Sequence, residues 1–204
     1  MKKILSFALV AAAMLFAGKA NAQLNVHVGY APQTYKTTTT VLGSDVSSTL
    51  DMNGFFAGAD FNMPLSGDLR LDLGANIRYN TKSEEKSGIK TTNTQMLIDV
   101  PVLLNYGLEL KRDFRIAAFA GPAISFALSG NTKTEIAGVS TDADWYDDGD
   151  NRGRFDLSVM FGLSVDFTDF RLFGGYNLGL LNVSKVDGTT VKGSNWFIGL
   201  GYNL

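Results

Sequence analysis

The 204-residue sequence has no cysteine, one histidine and four prolines. Without cysteine there is no disulfide framework, no thiolate metal cluster and no cysteine nucleophile. A lone histidine makes histidine-based catalysis and zinc chemistry hard to assemble. Charged residues are only 19% of the chain and the formal net charge is −2, so the basic footprint of a nucleic-acid binder is missing. Beyond residue 22 no apolar run reaches the ~20 residues that a transmembrane helix needs. Hydrophobic residues still make up 45%, which excludes a disordered polypeptide. What the chain does have is glycine, 22 residues, and 11% aromatics, a mixture suited to strands and tight turns.

Residues 1–22, MKKILSFALVAAAMLFAGKANA, carry Lys2 and Lys3, an apolar run from Ile4 to Ala17, and the small-x-small triplet Ala20-Asn21-Ala22. This is the pattern of a cleaved secretory signal peptide, and the run is too short to span a bilayer. The sequence therefore divides into a signal peptide, 1–22, and one domain, 23–204, exported from a bacterial cytoplasm.

The domain alternates with period two, the signature of strands. In LRLDLGANIRYN, Leu69, Leu71, Leu73, Ala75, Ile77 and Tyr79 share one face, with Arg70, Asp72, Gly74, Asn76, Arg78 and Asn80 on the other. RFDLSVMFGLSVDF (154–167) behaves in the same way. The test predicts eight strands, at 24–33, 54–62, 69–80, 95–107, 114–128, 154–167, 170–182 and 195–204, joined by connections of 20, 6, 14, 6, 25, 2 and 12 residues. Long and short connections alternate, so all the long ones fall at one end. The expected fold is all-β, an eight-stranded antiparallel up-and-down transmembrane β-barrel with short periplasmic turns and four external loops.

Alternation alone does not say which face meets lipid. Of the twelve glycines in these strands, eleven lie on the polar face and only Gly174 on the apolar one. The interior of an eight-stranded barrel is barely wide enough for its side chains, so the glycine-rich face is the inner one. Ten strand charges, Asp60, Asp72, Asp99, Asp156 and Asp166 with Arg70, Arg78, Arg115, Arg154 and Arg171, all occupy that face and cancel. Facing lipid, an arginine at the midplane would cost about 2–4 kcal/mol. The charges are thus expected to form a structural lumen network in two neutral layers. Asp60, Arg70, Asp72, Arg115, Asp166 and Arg171 belong to the layer near the periplasm, where Arg70 would neutralise Asp72 or Asp60. Arg78, Asp99, Arg154 and Asp156 form the outer one.

Two paired segments, MLIDVPVLLNYG (96–107) and AAFAGPAISFAL (117–128), resemble strands of the PorT-like outer-membrane β-barrel family, as do RFDLSVMFGLSVDF and GGYNLGLLNVS (174–184). The resemblance covers most of the domain and implies the barrel architecture rather than an activity. One departure is Gly175 before Tyr176, where arginine would be expected. The C-terminal FIGLGYNL is similar to a barrel-assembly signal, although Phe197 and Leu204 replace the usual polar and terminal aromatic residues.

The remaining candidates for chemistry are few. His27 falls on the inner face near the periplasmic end, away from any external rim, and reads as a hydrogen-bonded interior residue. In TDADWYDDGDN, Asp142, Asp144, Asp147, Asp148 and Asp150 are weak calcium candidates, because the spacing fails the EF-hand pattern; Trp145 and Tyr146 could meet a partner. Pro101 and Pro122 mark bulges or lapses in the ladder. The segments around 37–40 and 91–94 read as solvated threonine-rich tips. The expectation is a non-enzymatic, monomeric protein of the bacterial outer membrane without cofactor or nucleic-acid partner. Its partners would be membrane lipid and the barrel-assembly machinery, and it would act structurally or through its external loops on an unknown ligand. The alternative is a narrow channel for ions or very small solutes.

Overall fold

The computed structural model describes residues 23–41, 43–111, 113–146 and 152–204; the expected signal peptide lies outside them. Ten antiparallel strands make up one sheet: β1 (Gln23–Tyr30), β2 (Gln33–Val41), β3 (Ser44–Ser66), β4 (Leu69–Lys86), β5 (Ile89–Lys111), β6 (Phe114–Ile136), β7 (Val139–Asp144), β8 (Phe155–Phe167), β9 (Phe170–Gly179) and β10 (Thr189–Asn203). The pairings run from β1 and β2 through β3, β4, β5, β6, β8, β9 and β10, and β10 pairs again with β1 and β2.

The count is ten where alternation predicts eight, and the excess has two sources. β1 and β2 share both neighbours and keep one register, from Tyr30↔Phe55 to Gln33↔Met52 on one side and from Tyr30↔Ile198 to Gln33↔Asn195 on the other. They are one stave interrupted at Ala31-Pro32, where Pro32 has no N–H to give the ladder. β7 is new, a short strand paired only with the upper part of β6.

The strands are also longer than expected. β3, β5 and β6 each have 23 residues. At ~3.3 Å per residue and a tilt of ~40° such a strand rises roughly 58 Å, about twice the ~25 Å apolar band of a barrel. The segments expected as external loops are therefore largely β-hairpins standing beyond the band. Two close through two-residue turns with positive φ at both positions, Ser87-Gly88 (52° and 77°) and Ala137-Gly138 (48° and 84°), the geometry that matches the twist of the strands.

The outward face is apolar. Val28, Phe55, Ile77 and Leu163 are each more than half exposed, at 60%, 58%, 56% and 63%. Aromatic rings gather at both borders of this band. Tyr30 meets Phe55 and Trp196 on the outer side, and Phe170 meets Tyr202 on the turn side, all with centroids 5.4 Å apart. Buried positions on the opposite face are mostly polar, including Asn25, Asn80, Asn105, Arg115 and Arg171. The ladders lapse around Pro101 and Pro122: β4–β5 pairing skips from Leu73↔Val102 to Asn76↔Asp99, and β5–β6 pairing from Pro101↔Ala123 to Leu104↔Ala120.

Candidate functional site in the lumen and at its outer mouth

The inward side chains form three layers. Nearest the short turns, Arg171 binds Asp166 Oδ1 through Nε at 2.7 Å and Asn62 Oδ1 through Nη2 at 2.7 Å, with Asp60 at 3.5 Å and Asp72 at 4.0 Å from Nη1. Arg115 reaches Asp166 Oδ2 at 3.3 Å and Asn105 Oδ1 at 2.7 Å. Asn62 donates to both Asp60 (2.6 Å) and Asp72 (3.0 Å), and Asn105 donates to Asp72 at 2.9 Å. His27 is buried here, with Nδ1 3.0 Å from Asp60 Oδ1 and Nε2 2.6 Å from Asn76 Oδ1. Register explains the meeting: Arg115, Asp166 and Arg171 stand opposite one another on three neighbouring strands.

Arg70 does not belong to this cluster. It pairs with Glu109 at 3.5 Å, a half-open contact at the strand ends. The expected neutralisation of Asp72 or Asp60 by Arg70 is thus corrected. Parity turns Arg70 inward, but its position one residue from the start of β4 leaves it at the mouth, and His27 stands beside Asp60 instead.

The middle layer is apolar and was not read from the sequence. Phe56, Phe119, Phe173 and Phe197 point inward with Ala31, Leu103 and Met160. Each phenylalanine stands directly across from a glycine: Phe56 from Gly29, Phe119 from Gly162, Phe197 from Gly175 and Phe173 from Gly199. A Cβ on these glycines would lie 2.4, 2.6, 2.9 and 2.4 Å from the facing ring, respectively. Glycine is required because each ring lies over the neighbouring backbone. The pairing of inward Phe with inward Gly was the available signal.

In the outer layer Arg78 makes a fork to both Asp99 oxygens, at 2.9 and 3.0 Å, and its Nη1 donates to Gln33 and, at 3.2 Å, to Asn195. Ser125 donates to Asp99 at 2.6 Å. Arg154 and Asp156, expected in the same neutral layer, do not meet. Arg154 donates to the carbonyls of Leu128 (2.9 Å) and Tyr146 (3.0 Å) and stacks on the Tyr146 ring at 4.8 Å. Asp156 Oδ1 is buried without a hydrogen-bond partner among the described residues, as are Asn80 Oδ1 and Asn177 Oδ1. The outer layer is therefore not the neutral set of four charges expected, because Arg154 is drawn to backbone carbonyls and the Tyr146 ring.

Trp145 and Tyr146 directly follow β7. Tyr146 turns into the mouth, buried, and accepts from Gln95 Nε2 at 2.7 Å, while Gln95 accepts from Tyr35 at 2.8 Å. Burial pushes the Tyr146 hydroxyl up to about 12. The Arg152 guanidinium lies between the rings of Tyr35 (4.4 Å) and Trp145 (4.6 Å). Trp145 and Tyr146 thus cover the lumen rather than stand out as a free contact surface. Asp142 and Asp144 are exposed on β7, and Asp144 caps the Tyr146 N–H at 2.7 Å. Asp147, Asp148 and Asp150 lie outside the described residues. Among the described residues no three metal-ligating side chains gather.

Residues 4–203 match the family described as outer membrane protein beta-barrel domain. No curated protein matches the chain. Similar solved structures include Ail, the attachment invasion locus protein of Yersinia pestis, at 15% identity over 88% of this chain and 99% of that one, TM-score 0.38. Neisserial surface protein A is 14% identical over 88% and 97%, TM-score 0.48. The outer membrane protease OmpT from Escherichia coli is 11% identical over 89% and 97%, TM-score 0.43. OmpT corrects one expectation: barrels of this kind include enzymes, so a barrel fold without a recognisable motif does not make a chain non-enzymatic.

Proposed function

We propose, from the premise that the chain belongs to the outer membrane protein beta-barrel domain family, that this outer-membrane protein works as a closed scaffold presenting its external hairpins to partners at the cell surface. Within that family the segments 96–107 and 117–128 support a PorT-like placement. Residues 1–22 act as the cleaved export signal, and the barrel inserts through the assembly machinery as a monomer held by lipid. The observation that carries the reading is the division of labour along β3 to β6. Their lower parts hold the lipid-facing stripe and the lumen pairs, while their upper parts are mostly polar, serine, threonine and aspartate in β3 and threonine, lysine, asparagine or glutamate in β4 to β6.

The network of Asp60, Asp72, Asp99, Arg78, Arg115, Asp166 and Arg171 serves to keep the lumen shut. Planar-bilayer recording of the purified monomer tests this against a narrow channel. No stable unit conductance is expected, and a porin-like conductance would overturn the reading. A second test is fractionation: the protein should stay in the membrane after a carbonate wash and migrate differently before and after boiling on a detergent gel.

A further inference from the structure

Above the outer aromatic border the outward face of the barrel carries two lysines side by side. Lys36 on β2 and Lys192 on β10 are direct cross-strand partners. Both are exposed, while Tyr35, Val191 and Gly193 beside them in sequence are buried, so the two lysines leave the wall on its outer side. Residues facing each other in this way stand ~5 Å apart at Cβ, and like charges there are destabilising. Among the described residues no other strand pair sets lysine against lysine: Lys90 faces Glu85 and Glu135, and Lys133 lies 2.6 Å from Glu135.

The protein does not relieve this pair itself. Among the described residues lysine makes ion pairs only at Lys82, with Glu84, and at Lys133, with Glu135. The carboxylates on β3 nearest in register, Asp45 and Asp51, accept instead from Thr40 and Thr34, each at 2.7 Å.

Height supplies the missing partner. Trp196, on the same strand as Lys192, meets Tyr30 at the outer aromatic border, and such rings sit at the level of lipid headgroups. Lys192 is four residues further out, about 10 Å at ~3.3 Å per residue and a tilt of ~40°. Its flexible stem, like that of Lys36, brings the ammonium group back toward that level. Leu178, Leu180 and Ile198 are exposed nearby, a surface for acyl chains beneath a headgroup held there.

We propose that Lys36 and Lys192 clamp the phosphate of an outer-leaflet lipid headgroup against the barrel wall. A phosphate between two ammonium groups replaces their repulsion with two charge-assisted contacts. The clamp straddles the seam where the last strand closes on the first stave. It rests on the barrel standing in the outer membrane, not on what the hairpins bind.

The probe is dihexanoyl phosphatidic acid, titrated into the protein in dodecyl maltoside, with bound lipid counted by native mass spectrometry. One saturable molecule is expected. Phosphatidylcholine of the same chain length, its phosphate already paired with choline, should not saturate the site, and inorganic phosphate at equal concentration should not displace the lipid. In the double variant Lys36→Gln, Lys192→Gln affinity should fall roughly 30-fold, whereas Lys90→Gln, Lys133→Gln, which removes the same charge, should keep it. Urea unfolding gives a second readout. In detergent alone Lys36→Gln should leave the midpoint unchanged or raise it, and it should lose the rise that phosphatidic acid gives the unaltered protein. Should the double variant not fold, the unfolding of this single variant decides. Absence of a saturable lipid, equal binding of phosphatidylcholine, displacement by inorganic phosphate, or equal losses in the two double variants would overturn the proposal.

Discussion

Below the phenylalanine layer every carboxylate oxygen of Asp60, Asp72 and Asp166 faces a donor from His27, Asn62, Asn105, Arg115 or Arg171. Above it Asp99 is equally well served, by Arg78 and Ser125, yet Asp156, Asn80 and Asn177 each keep a buried oxygen without a partner. The two layers are built from the same residue types, so composition does not separate them. What separates them is the source of their donors. The turn-side layer draws on register-locked strands alone, whereas the outer layer also takes in Tyr146 after β7 and Arg152 and Arg154 before β8. The lower layer is a fixed seal, and the upper one is a fixed pair, Arg78 with Asp99, next to the Tyr146–Gln95–Tyr35 hydrogen bonds.

The sharpest way to break this comparison is Arg171→Ala. Three carboxylates lose a common partner, and an uncompensated buried charge typically costs about 3–5 kcal/mol. Urea unfolding in detergent should show the largest midpoint shift of any single arginine substitution in the lumen. The double variant Arg171→Ala, Asp166→Ala should fall by less than the sum of its two single variants. Arg78→Ala comes next, near about 3 kcal/mol, because Asp99 keeps the Ser125 hydroxyl when its guanidinium is lost. A midpoint for Arg78→Ala below that of Arg171→Ala would invert the ranking of the layers.

The architecture is legible in the sequence wherever one face of a strand must meet lipid. The stripe from Leu69 to Tyr79 and the run from Phe155 to Phe167 alternate because every second side chain is in the bilayer. Beyond the band neither face needs to be apolar, so TKSEEK and KTTNT give no period-two signal although they are paired strands. That is why hairpins were expected as loops. Pro32 breaks the first stave without ending it, which no local pattern reveals. In the lumen, parity says that Arg70 and Arg154 turn inward but not at what height. Whether an arginine meets a carboxylate, a carbonyl or a ring depends on stagger between strands distant in sequence. The phenylalanine layer escaped because inward aromatics are apolar residues on the face defined by its charges; they are explained only once each is seen opposite a glycine.

Arg154→Ala probes the contact between Arg154 and Tyr146. The substitution removes hydrogen bonds to the part-buried carbonyls of Leu128 and Tyr146 and a stacking contact with the Tyr146 ring, and leaves no carboxylate stranded. A loss of about 1–2 kcal/mol is expected, with faster protease cleavage in the segment after β7 and no change in the gel shift of the folded barrel. A loss as large as that of Arg171→Ala would make the Arg154–Tyr146 contact an integral part of the seal.

The smallest effect is expected from Arg70→Ala, and it tests where the lumen network ends. Counted by parity alone, Arg70 is one of ten inward charges, and its removal would strand Asp72 or Asp60. In the structure Asp72 is instead held by Asn62 and Asn105 with Arg171 close by, and Arg70 faces Glu109, whose side chain is 64% exposed. A pair that open is worth about 0–1 kcal/mol and is screened by salt. Arg70→Ala should therefore shift the urea midpoint only slightly, and the shift should shrink further at high ionic strength. Glu109→Ala should match it, and the double variant should be no worse than either single one. A salt-insensitive loss comparable to that of Arg171→Ala, with Glu109→Ala silent, would return Arg70 to the buried cluster and move the edge of the seal down to the turns.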